Sequence, residues 1–348
     1  MFLQLLAAAD RLWQKQSWLP LAISMAAIYA AWTSLFRLLI LTFVTFFLLP
    51  PGFVPTGGPG FWASRDSRPI ALPKFEEITD ILSANELPLL GFSALLFVSL
   101  LRWLHPLTST TTEQIITSSR VRERFMPGFV HGATFAIGII LGFLISGSYQ
   151  YLGLYLQFDE LALALPSILL RIAAILAFVY SEEFLFRRRL LEHFRMGLAA
   201  GKADQANLRS DVLAAAFTGV FYCAIKVLQF DLGVMQLLTL FLLSLVLGIQ
   251  SSRSGDFARG AGFWAALLMI FHVLFSLPIL GTDFSGILMV KYQASADDGV
   301  AVNETTRLLS GGAGGPLSSV ALQILLLIEL GRTLLRRRKY FRSSSSSR

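Results

Sequence analysis

Cysteine and charged residues are scarce in this chain, and each scarcity excludes a class of protein. The single cysteine, Cys223, rules out an intramolecular disulfide and any metal site built from a cluster of cysteines. Charged residues make up only 15% of the 348 positions, whereas hydrophobic residues make up 55%. This balance is typical of a chain that folds in lipid, so the composition predicts a multi-pass integral membrane protein.

The basic residues lack the interleaved aromatic residues that would stack on nucleic-acid bases. We therefore expect no nucleic-acid partner despite a formal charge of +7, and we expect the lipid bilayer to be a partner. Most Lys and Arg residues fall in loops on one side of an even-numbered topology, which the positive-inside rule assigns to the cytoplasm. The expected location is a bacterial inner membrane, with both termini in the cytoplasm.

Apolar runs of about 20 residues, the length that crosses a hydrocarbon core, predict an all-α polytopic membrane bundle of about eight transmembrane helices. The runs are 18–50, 87–104, 128–147, 161–183, 211–229, 235–252, 260–281 and 316–335. The first run is too long for one straight crossing, so its path is left open. Residues 2–16 predict an interfacial amphipathic helix.

The chain divides into an N-terminal extension at 1–84, a membrane core at 85–281 and a C-terminal part at 282–348. Segments 51–86 and 282–315 are rich in Pro, Gly and Ser and are expected to be loops. The third run carries two stripes of small residues that predict close helix packing. These stripes are Gly128, Gly132 and Ala136, and Gly138, Gly142 and Ser146.

Two adjacent carboxylates, Glu182 and Glu183, end the fourth run, where a charged side chain is costly unless it is paired or functional. Arg187 lies four residues after Glu183, a spacing at which the two side chains can meet along a helix. Arg171 precedes Glu182 by three helical turns and returns to nearly the same face. The residues alone leave two interpretations open: a polar interior with a proton-accepting glutamate, or a charged helix end at the lipid headgroups.

Residues 181–191, Ser-Glu-Glu-Phe-Leu-Phe-Arg-Arg-Arg-Leu-Leu, resemble the Glu-Glu-x-x-x-Arg motif of the CPBP family of intramembrane proteases. That family includes the type II CAAX prenyl endopeptidases and bacterial relatives linked to bacteriocin processing and self-immunity. The resemblance implies an eight-helix membrane bundle and matches the layout of residues 85–281. His272 and Ser276, expected on one face of the seventh run, resemble the third family motif.

The second family motif, Phe-x-x-x-His, is broken here, because Ile225 stands where the histidine belongs and Lys226 follows it. Carried over from the family, Glu182 is the general base for water, Glu183 and Arg187 support it, and His272 with Ser276 stabilises the oxyanion. These are the expected catalytic residues. An isoleucine cannot orient water, and a nearby ammonium makes a glutamate a weaker base.

The resemblance implies an endopeptidase of the CAAX-protease type that cleaves a membrane-anchored protein or peptide, without cofactor or metal. The missing histidine keeps a second class open, a catalytically impaired pseudoprotease that acts as a membrane binding or scaffold protein. A transporter is a distant third, because no matching pair of interrupted helices is visible. A histidine from elsewhere, His131 or His193, near Glu182 would favour the enzyme.

Overall fold

The computed structural model describes residues 18–43, 61–63, 69–71, 86–104, 118–154, 158–198, 208–254, 257–280, 286–292 and 304–345. Within these ranges the chain is mostly helical. The helices are α1 (Trp18–Phe43), α2 (Glu86–Leu104), α3 (Ser118–Ile145), α4 (Phe158–Glu183), α5 (Leu191–Leu198), α6 (Leu208–Gln229), α7 (Val234–Ser254), α8 (Ala258–Leu268), α9 (Glu304–Ser310) and α10 (Val320–Ser345). Two π-helices, π1 (Phe184–Leu190) and π2 (Met269–Leu274), directly follow α4 and α8.

Two short antiparallel ribbons accompany the helices. Strand β1 (Phe61–Ala63) pairs with β2 (Pro69–Ala71), and β3 (Tyr149–Leu154) pairs with β4 (Leu288–Tyr292). Strands β1, β2 and β4 and helix α9 lie in the segments expected to be loops, so that expectation is wrong for their described parts. The prediction failed because β4 gains its hydrogen bonds from a strand that is remote in the sequence.

The helices pack in pairs around a buried apolar core. Helix α3 packs along α8, α2 packs along α4, and α6 packs along α7, which also contacts α10. Helix α4 contacts α8 as well, and α1 contacts α2, α5 and α6. The end of α4 and the π-helix that follows it are therefore surrounded by other helices, which positions the carboxylate pair in the interior.

Four helices in the described residues are long and apolar enough to cross a bilayer. They lie at Ile23–Ile40, Glu123–Ile145, Leu208–Gln229 and Val234–Ser252. The segments Leu87–Leu101 and Ala258–Leu274 are apolar but shorter. By length and composition the protein is an integral membrane protein with a helical bundle. All eight predicted runs overlap helices, and the first helix ends at Phe43.

Glycines allow α3 and α8 to approach closely. A Cβ atom at Gly128 would lie 2.0 Å from the carbonyl oxygen of Arg259, and one at Gly132 would lie 2.4 Å from that of Phe263. The first small-residue stripe is therefore a packing surface, as predicted. The second is not, because no described atom lies within 4 Å of a Cβ built at Gly138 or Gly142.

The structure describes the C-terminal end of the chain as far as Ser345 but does not describe the first 17 residues. The interfacial helix predicted at 2–16 lies outside the described residues. At the other end, α10 continues without interruption to Ser345, so the basic cluster at 336–339 has a helical backbone. Lysine and arginine are good helix formers, and their charges suit the C-terminal end of a helix.

Candidate functional site

Glu182 lies in the last turn of α4, and its carboxylate points into the protein, where it is fully buried. Its Oε1 atom accepts hydrogen bonds from the ammonium of Lys226 and, at 3.4 Å, from the hydroxyl of Tyr29. Its Oε2 atom accepts a hydrogen bond from the hydroxyl of Tyr222 at 3.2 Å. The group faces inward, as the sequence predicts, but donors of the protein itself occupy both oxygens.

Lys226 is as deeply buried as its partner. Its Nζ atom also donates to Oε1 of Gln229 at 2.9 Å and lies 4.1 Å from the centre of the Phe178 ring. An ammonium gains electrostatic stabilisation over an aromatic face, and the gain is larger when the ammonium is desolvated. Lys226 is thus held by a carboxylate, an amide oxygen and a ring, which compensate for its removal from water.

The face of α6 explains why a lysine rather than a histidine meets Glu182. Tyr222 and Lys226 are four residues apart, so they lie on one face of α6 and both reach the same carboxylate. Ile225, at the position of the family's histidine, is buried and packs in the apolar core. No histidine is among the hydrogen-bond partners of Glu182 in the described part of the chain.

Glu183 and Arg187 form a second buried pair, at the contact that their spacing predicts. Nη2 of Arg187 lies 3.6 Å from Oε1 of Glu183, and both side chains are 1% exposed. Among the described residues, Oε2 of Glu183 and the Nε and Nη1 atoms of Arg187 have no hydrogen-bond partner. The guanidinium lies over the ring of Tyr222, with 5.1 Å between Cζ and the ring centre.

His272 belongs to a third polar group, built from π2 and the middle of α4. Its Nδ1 atom lies 3.3 Å from the carbonyl oxygen of Leu277, and its Nε2 atom lies 3.1 Å from Nη1 of Arg171. Because a carbonyl only accepts, the proton is assigned to Nδ1, and Nε2 accepts from the guanidinium. Arg171 does line the interior, as predicted, but beside the imidazole rather than beside Glu182.

Ser276 does not lie on a helix face with His272, which corrects the expectation drawn from their spacing. The π-helix ends at Leu274, and Ser276 has a left-handed backbone with a φ of 52°. Its hydroxyl accepts a hydrogen bond from the backbone N–H of Gly286 at 2.8 Å and donates one to the carbonyl of Leu288 at 2.9 Å. Ser276 therefore links the segment after π2 to Gly286 and the start of β4.

The expected catalytic residues are thus distributed over separate polar contacts in the described residues. Glu182 pairs with Lys226, Glu183 pairs with Arg187, and His272 pairs with Arg171. Neither of the two other histidines considered near Glu182 is a hydrogen-bond partner of it in the described residues: the His131 ring packs 5.3 Å from that of Phe263 on α8, and His193 is half-buried on α5.

The sequence interpretation missed two tyrosines that complete the site. Tyr29 comes from the N-terminal extension and Tyr222 from the broken motif, and both are buried with hydroxyls on Glu182. A tyrosine within an apolar run is a usable signal, because its hydroxyl needs a partner when it is buried. The extension therefore contributes a side chain to the site.

No group of three or more His, Cys, Asp or Glu residues in the described part of the chain is arranged to hold a metal ion. The site instead consists of oppositely charged pairs and tyrosine hydroxyls. No protein-family model, curated protein or solved structure matches this chain.

Proposed function

We propose that this chain is a catalytically impaired member of the CPBP type, a pseudoprotease that acts as a membrane binding or scaffold protein. The observation that carries the proposal is the buried ion pair between Glu182 and Lys226. A glutamate that activates water needs a free oxygen in contact with that water. In the described residues, both carboxylate oxygens of Glu182 already accept hydrogen bonds from the protein. The apolar side chain of Ile225 cannot hydrogen-bond to a water molecule.

The proposed topology has eight transmembrane helices, with both termini in the cytoplasm of a bacterium. It is supported by the overlap of the eight apolar runs with helices and by the one-sided distribution of Lys and Arg. Reporter enzymes fused to the N-terminus and C-terminus test it. Periplasmic activity of either reporter would contradict the orientation.

The functional experiment must separate the loss of a carboxylate from the loss of the fold. Glu182→Ala leaves the Lys226 ammonium buried without its carboxylate, so the variant is expected to accumulate poorly whatever its function. The double variant Glu182→Leu, Lys226→Met removes both charges together. It is expected to accumulate better than Glu182→Ala, although Tyr29 and Tyr222 lose their acceptor, and to complement cells that lack the native protein, because a scaffold does not use the carboxylate.

The matched control is Glu329→Leu, Arg332→Met, which removes a more exposed ion pair on α10. Membrane abundance is measured beside complementation for each variant. A charge-free double variant that accumulates like the native protein but fails to complement would reject the scaffold proposal, since only the chemistry at Glu182 would then have been lost.

An endopeptidase of the CAAX-protease type is the second candidate, and one observation favours it. Oε2 of Glu183 and two nitrogens of Arg187 are buried without a partner among the described residues, so this pair retains hydrogen-bonding capacity. In this candidate function the protein cleaves a membrane-anchored protein or peptide by glutamate-activated water. The candidate puts Glu182, Glu183, Arg187, His272 and Ser276 in the catalytic roles implied by the family.

Cleavage is tested with the full-length protein in liposomes and a membrane-anchored peptide, with and without a prenyl group. Mass spectrometry detects the fragments. The endopeptidase predicts fragments that disappear in Glu183→Gln and in His272→Ala but persist in Glu329→Gln. Fragments that persist in the first two variants would show that a contaminating protease made them.

A further inference from the structure

We propose that a water molecule is bound between Glu183 and Arg187, in a buried polar site formed by the end of α4, π1, α7 and α8. Nη2 of Arg187 lies 3.6 Å from Oε1 of Glu183, and this distance is too long for a direct hydrogen bond. Their remaining polar atoms, Oε2, Nε and Nη1, have no partner in the described residues although no solvent reaches them. Buried polar atoms of this kind are the usual binding sites of internal water.

A glycine lies against the unpartnered oxygen of the carboxylate. Gly260 on α8 has no side chain, and a Cβ atom built there would lie 3.2 Å from Oε2 of Glu183. The side chain of Leu247 on α7 borders the same position at 3.5 Å. The missing side chain of Gly260 thus keeps a methyl group from pressing on the unpartnered oxygen, and Leu247 forms an apolar wall beside it.

The chemistry of the pair favours water over other small ligands. Oε2 of an ionised glutamate accepts a hydrogen bond, and the nitrogens of Arg187 only donate. A ligand that bridges them must donate to one side and accept from the other within the space of a few atoms. Water does both and is small enough for a site whose side chains are 1% exposed.

The binding of this water does not depend on whether the protein cleaves peptides. It does identify Glu183, rather than Glu182, as the motif carboxylate with an oxygen open to water. In the described residues, Glu182 already accepts hydrogen bonds from the Lys226 ammonium and two tyrosine hydroxyls, whereas Oε2 of Glu183 accepts none.

X-ray radiolysis of the purified full-length protein tests the site, because a bound water forms hydroxyl radicals that oxidise the side chains beside it. Leu247 is expected to be labelled several-fold faster than Leu240, an equally buried leucine on the same helix. Mass spectrometry measures both residues in one sample. Equal, slow labelling of the two leucines would overturn the proposal without the need for any variant.

Two variants identify the cause of the labelling. The double variant Glu183→Leu, Arg187→Met removes both polar partners without leaving a buried unpaired charge, and Gly260→Ala presses a methyl group against Oε2, so each is expected to lower labelling of Leu247 to the level of Leu240. The matched control is Gly142→Ala, where the new Cβ meets no described atom within 4 Å. Fast labelling of Leu247 that persists in the double variant would place the water elsewhere and reject the assignment. A cleavage assay on the same samples reports separately on the proposed function.

Discussion

The ammonium of Lys226 on α6 donates a hydrogen bond to the carboxylate of Glu182 on α4, and both side chains are completely buried. The two residues are 44 positions apart in sequence, so the pair ties one helix to another. Burying two charges costs several kcal/mol for each ion, and mutual attraction offsets that cost only with good geometry and further hydrogen bonds. Tyr29, Tyr222 and Gln229 supply those hydrogen bonds here.

Replacement of one partner of this ion pair should destabilise the protein strongly. Lys226→Met leaves a buried, unpaired carboxylate, and we expect a loss of about 3–5 kcal/mol in the free energy of unfolding. The double variant Glu182→Leu, Lys226→Met should restore part of it, because no charge stays buried, although the hydroxyls of Tyr29 and Tyr222 lose their acceptor. Thermal unfolding in detergent or lipid nanodiscs measures both. The control, Arg332→Met, should change stability by no more than about 1 kcal/mol, because Arg332 is largely exposed. A double variant as unstable as the single one would contradict the ion-pair interpretation.

Substitution of Gly262 should separate α3 from α8. A Cβ atom at this position would lie 2.2 Å from the carbonyl oxygen of Phe125, so one backbone must move away from the other. We expect Gly262→Ala to destabilise the protein by about 1–3 kcal/mol or more. Gly142 is on α3, and no described atom lies within 4 Å of a Cβ built there. Gly142→Ala should therefore be neutral or stabilising, since alanine favours a helix by about 1 kcal/mol over glycine. Midpoints of thermal unfolding that shift equally in the two variants would argue against close packing.

Ser276→Ala should loosen the link between the segment after π2 and strand β4. The hydroxyl joins the N–H of Gly286 to the carbonyl of Leu288, and removal of it leaves both backbone groups without this partner. The expected loss is about 1–3 kcal/mol for each group that becomes buried and unsatisfied. Hydrogen exchange of 286–292, measured by mass spectrometry, should become faster. Exchange unchanged in this strand, together with lost peptide cleavage, would instead support the oxyanion role expected from the resemblance.

Tyr149→Phe should release the contact between β3 and the segment after α9. The tyrosine hydroxyl donates to the carbonyl oxygens of Ser310, at 3.2 Å, and of Gly312, at 3.4 Å.

Burial, and secondarily the nearby Tyr292, raises the pKa of Tyr149 well above its ordinary value. The folded state therefore keeps this proton at a pH where the unfolded state loses it, so stability should fall as the pH rises above about 10. Unfolding midpoints measured between neutral and alkaline pH should fall less steeply in Tyr149→Phe. An identical fall in the variant would assign the effect to other groups.

Features that depend on local periodicity could be predicted from the sequence. The apolar runs overlap helices, Glu183 meets Arg187 four residues later, and the stripe from Gly128 packs closely on α8. Each follows from helix geometry and from the chemistry of nearby side chains alone. Periodicity failed at Ser276, because π2 ends at Leu274 and the four-residue spacing from His272 no longer means a shared face.

The sequence by itself determined that this protein is an integral membrane protein rich in helices, with two carboxylates at the end of α4. Tertiary structure alone decided that these carboxylates are buried and which groups they meet. Tyr29, Tyr222 and Lys226 reach Glu182 from other helices, and Arg171 rather than a carboxylate contacts His272. The physical reason is that a buried charge must find an opposite charge or a hydrogen-bond donor, and helix packing determines which one is within reach.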